Sequence, residues 1–166
     1  MKRYLTLLSL LIVISCNPKT GPKTNSRDNN DTTSVKVIPK TPDYQAAIEF
    51  INDYVKFRDN PSDDTTWIRR HHLLTENFKN SYYHLIDSVS QEDPDMGLDF
   101  DPILDAQDFP DKGFELAKFD SLGFITVKGV DWADFLLVLK VVFRENKWLV
   151  DGSGIINIPP DKRAKR

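Results

Sequence analysis

Eight carboxylates crowd residues 91–111: Glu92, Asp93, Asp95, Asp99, Asp101, Asp105, Asp108 and Asp111, with no lysine or arginine among them until Lys112. Clustered oxygens suit a hard cation such as calcium, but an EF-hand loop needs acids at its first, third and fifth positions and glycine at its sixth. Counted from Asp93, Gly97 falls fifth and Leu98 sixth; counted from Asp99, the fifth position is Ile103. A pair of carboxylates could serve as acid and base on a glycosidic bond, yet any acidic loop offers such pairs. The segment therefore reads as a solvated connector whose aspartates make turns and caps. No metal and no cofactor is expected.

The other chemically able residues point the same way. His71 and His72 are adjacent, and neighbouring side chains on a helix diverge by about 100°. They read as a surface pair without a shared ligand face. Tyr82 and Tyr83, with the nearby acids, offer the ingredients of a site in which a phenol and a protonated carboxyl polarise a carbonyl. Tyr82 falls on an apolar helical stripe, so core packing is its expected use. Gly152-Ser153-Gly154 lacks the Gly-Lys-Ser/Thr of a phosphate loop. No catalytic residue is assigned, and the chain is read as not an enzyme.

The elements that position these residues follow from periodicity. Thr41 reads as an N-cap with Pro42 in the first turn. Tyr44, Ile48, Ile51 and Val55 then make an apolar stripe on a helix over residues 43–58. A short helix over 64–71 carries Trp67 and Ile68 inward. Thr75 caps a third helix with Phe78, Tyr82, Leu85 and Val89 on one face. Strands are expected over 114–119 and 124–130, joined by the turn Asp120-Ser121-Leu122-Gly123. The strongest strand covers 135–144, with Phe135, Leu137, Leu139, Val141 and Phe143 on one face. A last strand begins at Trp148 and is expected to run on to Ile156. Helices followed by an antiparallel meander predict an α+β fold, with helices packed on one sheet face.

The 166 residues suffice for one domain, and the net charge of −3 argues against a binder of nucleic-acid phosphates. A single cysteine excludes a disulfide scaffold and any multi-cysteine metal site. That cysteine, Cys16, follows the cationic Met1-Lys2-Arg3 and an apolar run over 4–14. The run is too short to span a bilayer, which needs about 20 residues, but fits a signal-peptide core. Val13-Ile14-Ser15-Cys16 resembles a bacterial lipobox. The resemblance implies a signal peptide over 1–15, cleavage before Cys16, and acylation of its thiol. Two or three acyl chains anchor stably where one does not. Loss of Lys2 and Arg3 leaves 20 basic against 25 acidic side chains, a net of −5. Asn17 stands where an inner-membrane lipoprotein would carry aspartate, so the expected location is the outer membrane, facing the periplasm. Residues 16–41 read as the acylated cysteine and a tether, 42–160 as a single domain, and 161–166 as a solvated basic tail. The tether contains one short apolar run, Val35-Lys36-Val37-Ile38, able to add as an edge strand.

Residues 101–108, Asp-Pro-Ile-Leu-Asp-Ala-Gln-Asp, resemble the signature of a family of bacterial envelope lipoproteins that carries no assigned activity. The resemblance covers residues 44–156. It implies a cone of the nuclear-transport-factor-2-like or cystatin-like kind, with helices wrapped by a curved antiparallel sheet. It marks Asp101, Gln107 and Asp108 as motif positions without giving them a role. Independently, Ile103 and Leu104 are the apolar residues of this acidic stretch and are expected to be buried. Gln107 and Asp108 are expected to satisfy the neighbouring backbone. The functional expectation is a membrane-anchored binding or interaction module with an envelope protein as partner. The alternatives are an immunity-type inhibitor, whose acidic loop would meet a toxin's basic surface, and a small enzyme using the cavity of the cone.

Overall fold

The computed structural model describes residues 41–59, 64–92 and 97–165. Cys16, the signal, the tether with Val35-Lys36-Val37-Ile38, and Asp93 and Asp95 of the acidic connector lie outside the described residues. Three helices precede four strands: α1 (Gln45–Asp59), α2 (Asp64–Arg70), α3 (Glu76–Glu92), β1 (Phe114–Phe119), β2 (Phe124–Gly129), β3 (Leu136–Arg144) and β4 (Lys147–Ser153), with a 3-10 turn at Pro160–Lys162. The expected α+β class is the observed one.

Helices α1 and α3 each begin at an acceptor able to receive their unpaired amides. At α1 this is Asp43, whose Oδ1 accepts from the Gln45 N–H at 2.9 Å. The helix starts two residues later than the Thr41 cap and Pro42 first turn would have placed it. At α3 the Thr75 hydroxyl accepts from the Phe78 N–H at 3.0 Å, as its position foretold. Of the expected stripe, Ile51 and Val55 are buried while Tyr44 and Ile48 are half-buried; the buried face of α1 is turned toward Phe50 and Tyr54, and α3 adds Phe78 and Tyr82.

The strands form one open antiparallel sheet in the order β1-β2-β3-β4. Alternation puts Leu137, Leu139 and Val141 of β3 in the core beside Ile125 and Val127 of β2. Each such side chain contributes about 1.5–3 kcal/mol when fully withdrawn from water. Phe135 is buried but precedes β3, and Phe143 is half-buried, edge-on to Trp148 at 5.4 Å. Two bulges interrupt the ladder. Ala117 is the extra residue of β1 opposite β2, and Asp151 that of β4 opposite β3. β4 stops at Ser153 and does not run on to Ile156; the chain turns there, and Ser153 and Ile156 bridge each other.

Both outer edges are engaged. On β4, Val150 donates to Leu73 O at 2.8 Å and accepts from Thr75 N at 3.0 Å. On β1, the Asn52 carboxamide bonds both backbone groups of Phe114, accepting at 2.7 Å and donating at 2.9 Å. The basic tail is not wholly solvated, as Arg163 donates to the Ile158 and Ile155 carbonyls at 3.0 and 3.4 Å.

Candidate functional site

The acidic connector divides its motif between interior and surface. Ile103 and Leu104 are fully buried, as expected. Their amides are received by Asp101, whose Oδ1 accepts from Ile103 N at 2.8 Å and Leu104 N at 3.0 Å. Asp101 Oδ2 accepts from the Tyr54 hydroxyl at 2.7 Å and lies 3.5 Å from Arg58 Nε. The Asp101 and Ala106 backbones close the turn on each other. The far side of the turn docks on the end of β4: Ile155 N donates to Pro102 O, and Ser153 Oγ to Ile103 O, both at 2.9 Å.

Gln107 and Asp108 do not play the part expected of them. Both are exposed, and neither side chain bonds to a described residue. Asp101, two residues before the buried pair, is better placed: an aspartate reaches the amides two and three residues ahead without crossing the turn.

Two clefts meet at Gln107. The first, of about 440 Å³, is lined by residues that include Tyr54, Arg58, Tyr82, Asp101, Leu98 and Phe100. Tyr82 is in the core, as its stripe implied. The second cleft, of about 520 Å³, runs from Gln107 and Asp108 past Asp59, Asp111 and Asp131 to Trp132. Trp132 is 48% exposed and edge-on to Phe135 at 5.2 Å.

Burial pushes the Asp101 carboxyl above the usual range, against the pull of Tyr54, the two amides and Arg58. Burial first, and then the Asp101 charge, hold the Tyr54 phenol far above its ordinary value. Both oxygens of Asp101 are engaged by donors from its own chain. The pair holds the turn to helix α1.

His71 is not a surface residue. α2 ends at Arg70, yet the His71 N–H still donates to Trp67 O at 3.0 Å, so His71 keeps the helical position four residues after Trp67, on the face that carries Ile68 inward; its ring stacks on that of His72 at 5.4 Å. His71 is buried against Trp67 at 4.4 Å and Phe50 at 5.3 Å, while His72 is exposed. Burial, and secondarily His72, lower the His71 pKa to about 4. Its Nδ1 accepts from the Leu73 N–H at 3.4 Å, consistent with a neutral ring in the core. Among the described residues, no three of His, Cys, Asp and Glu are grouped to hold a metal ion.

Sequence reasoning passed over Tyr54, Arg58, Asp59, Asp131 and Trp132 as parts of a site. Trp132 alone gave a signal: a large aromatic in a polar turn, between Asp131 and Ala133-Asp134. Compared with family models, curated proteins and solved structures, the chain matches none.

Proposed function

We propose that the chain is a lipid-anchored protein of the cell envelope, held through Cys16 at the outer membrane and facing the periplasm, whose domain is a binding module for a protein partner. The anchor rests on Val13-Ile14-Ser15-Cys16. The binding role rests on the division of labour within residues 101–108. Asp101, Ile103 and Leu104 are taken up by the fold, whereas Gln107 and Asp108 stand in solvent where two clefts meet. An aromatic beside a polar rim is the usual composition of a protein-binding patch, and Trp132 supplies it. The four aspartates of the second cleft favour a partner with a basic surface, the reading shared with an immunity-type inhibitor. The resemblance of residues 101–108 to the envelope lipoprotein family agrees with this location.

The test is a photo-crosslinking residue placed at Gln107 in cells. A discrete adduct that disappears with Trp132→Ala and with Asp108→Lys supports the module. An adduct pattern unchanged by both substitutions overturns this face as the binding surface.

A further inference from the structure

Three features that the binding face does not use converge at the opposite end of the domain. The described chain enters there: Tyr44, just ahead of α1, stacks on Phe119 at 5.5 Å. The turn that joins β1 to β2, Asp120-Ser121-Leu122-Gly123, follows Phe119 and carries one large apolar residue at its tip. Leu122 at its tip is 69% exposed and Phe119 43% exposed. Asp120 shapes this turn, accepting from the Leu122 and Phe124 amides at 2.8 and 2.9 Å, so Leu122 is displayed by a well-bonded loop.

Cations surround the tip. Lys140 Nζ lies 5.4 Å and Lys162 Nζ 6.0 Å from the centre of the Phe124 ring, two residues from Leu122. Lys118, beside Phe119, is exposed, as is Lys165 in the tail beyond Lys162. The nearby acids are largely engaged. Asp120 serves its turn, Asp43 receives the Gln45 amide, and Asp161 is a loose 4.0 Å from Lys162. The acidic cleft is remote: Asp59 closes α1, whose 15 residues put it about 20 Å from Tyr44.

We infer that the tip formed by Phe119, Leu122 and the flanking Lys140 and Lys162 rests on the phospholipid surface to which the chain is anchored. The inference rests on acylation of Cys16. The described chain begins beside Phe119, so the tether to Cys16 attaches at this end of the domain. An exposed leucine and phenylalanine then enter the headgroup boundary, and the lysines meet lipid phosphates from the rim, as amphipathic residues do at membrane interfaces. The basic tail, unexplained by the binding face, becomes part of the contact. The domain is thereby oriented, with Trp132 and the aspartate cleft held away from the membrane.

The experiment uses the acylated full chain in vesicles of phosphatidylethanolamine and phosphatidylglycerol, carrying a fluorophore at Ser121→Cys or, as the distal control, at Asp134→Cys. Quenchers are presented on lipid chains or in the water. The label at 121 is expected to be quenched several-fold more by lipid-borne quencher than the label at 134. Leu122→Ser, and separately Lys140→Glu with Lys162→Glu, should each bring it down to the level of the control. Co-sedimentation with the vesicles is read in the same samples. A chain that sediments with both labels equally open to the aqueous quencher overturns the contact and leaves the anchor standing. A chain that does not sediment overturns the anchor, and the contact with it.

Discussion

The Tyr54 hydroxyl donates to Asp101 Oδ2 at 2.7 Å across 47 residues of sequence, fastening helix α1 to the acidic connector. Asp101 meanwhile gathers the amides of two fully buried residues, Ile103 and Leu104. One side chain thus joins three parts of the core: the first helix, the connector and, through the turn it shapes, the end of β4.

Removing that carboxylate should be severe. Asp101→Ala orphans two amides and a phenol, each worth about 1–3 kcal/mol when left unsatisfied. A total loss of about 3 kcal/mol is expected by urea denaturation, because part of the site will relax or admit water. Tyr54→Phe should lose about 1 kcal/mol. The double variant should lose less than the sum of the two, since they share a bond.

Gln107→Ala should behave in the opposite way. An exposed side chain without a partner in the fold is expected to change stability by no more than about 0.5 kcal/mol. A loss of 1 kcal/mol or more in the same denaturation series would return Gln107 to a structural role. With the crosslinking residue moved to Asp131 in the same cleft, loss of the adduct without loss of stability is the behaviour expected of a contact residue.

His71 gives the fold an acid-sensitive window. Its pKa is about 6.5 in the unfolded chain and about 4 when folded, so the unfolded state binds more protons between those values. The stability it contributes is complete above about pH 6.5 and is lost as pH falls toward 4, a change of roughly 2–3 kcal/mol. Asp101, raised by its burial, works with the reverse sign, since the folded state then holds a proton more tightly than the unfolded. The informative quantity is therefore the difference between wild type and His71→Phe, measured by urea denaturation at several pH values. That difference should move in favour of the variant on acidification, and a difference independent of pH would contradict a buried neutral ring.

Gly154→Ala probes the docking of the connector on β4. Gly154 has φ of 59°, and a Cβ there would run into the carbonyl oxygens of Pro102 and Ile103. Left-handed strain and the clash together should lower stability by about 3 kcal/mol. A thermal midpoint unchanged from wild type would show that the connector docks differently.

Cys16→Ser tests the anchor directly. The variant should take up no labelled fatty acid and should move from the detergent phase to the aqueous phase. Equal label on both chains would exclude acylation at this residue.

The elements were legible because burial imposes a period. Ile51 and Val55 on α1, and Leu137 and Leu139 on β3, repeat at the spacing of a helix face or a strand face. Thr75 was legible because a hydroxyl ahead of an apolar stripe has one common use. Asp101 was not, because eight carboxylates in one connector look alike until the chain closes and one of them meets Tyr54. His71 was misplaced because it was weighed against its neighbour His72 and not against Trp67 and Ile68, four and three residues earlier on the same helical face. The strand end at Ser153 was hidden because Ile155 and Ile156 continue an apolar pattern. They serve the connector and the turn, and no further ladder.

The outer edges of the sheet, each engaged at one residue, have a consequence for contacts between copies. A bare edge strand is a template on which another chain can add and aggregation can spread. Here Leu73 and Thr75 occupy the outward amide and carbonyl of Val150, so β4 offers no open row to a neighbour at that point. At the other margin Asn52 occupies both groups of Phe114, and the bulge at Ala117 breaks the register a few residues on. A second copy approaching either margin meets an interrupted ladder. Both interruptions work against growth of a sheet from one copy to the next.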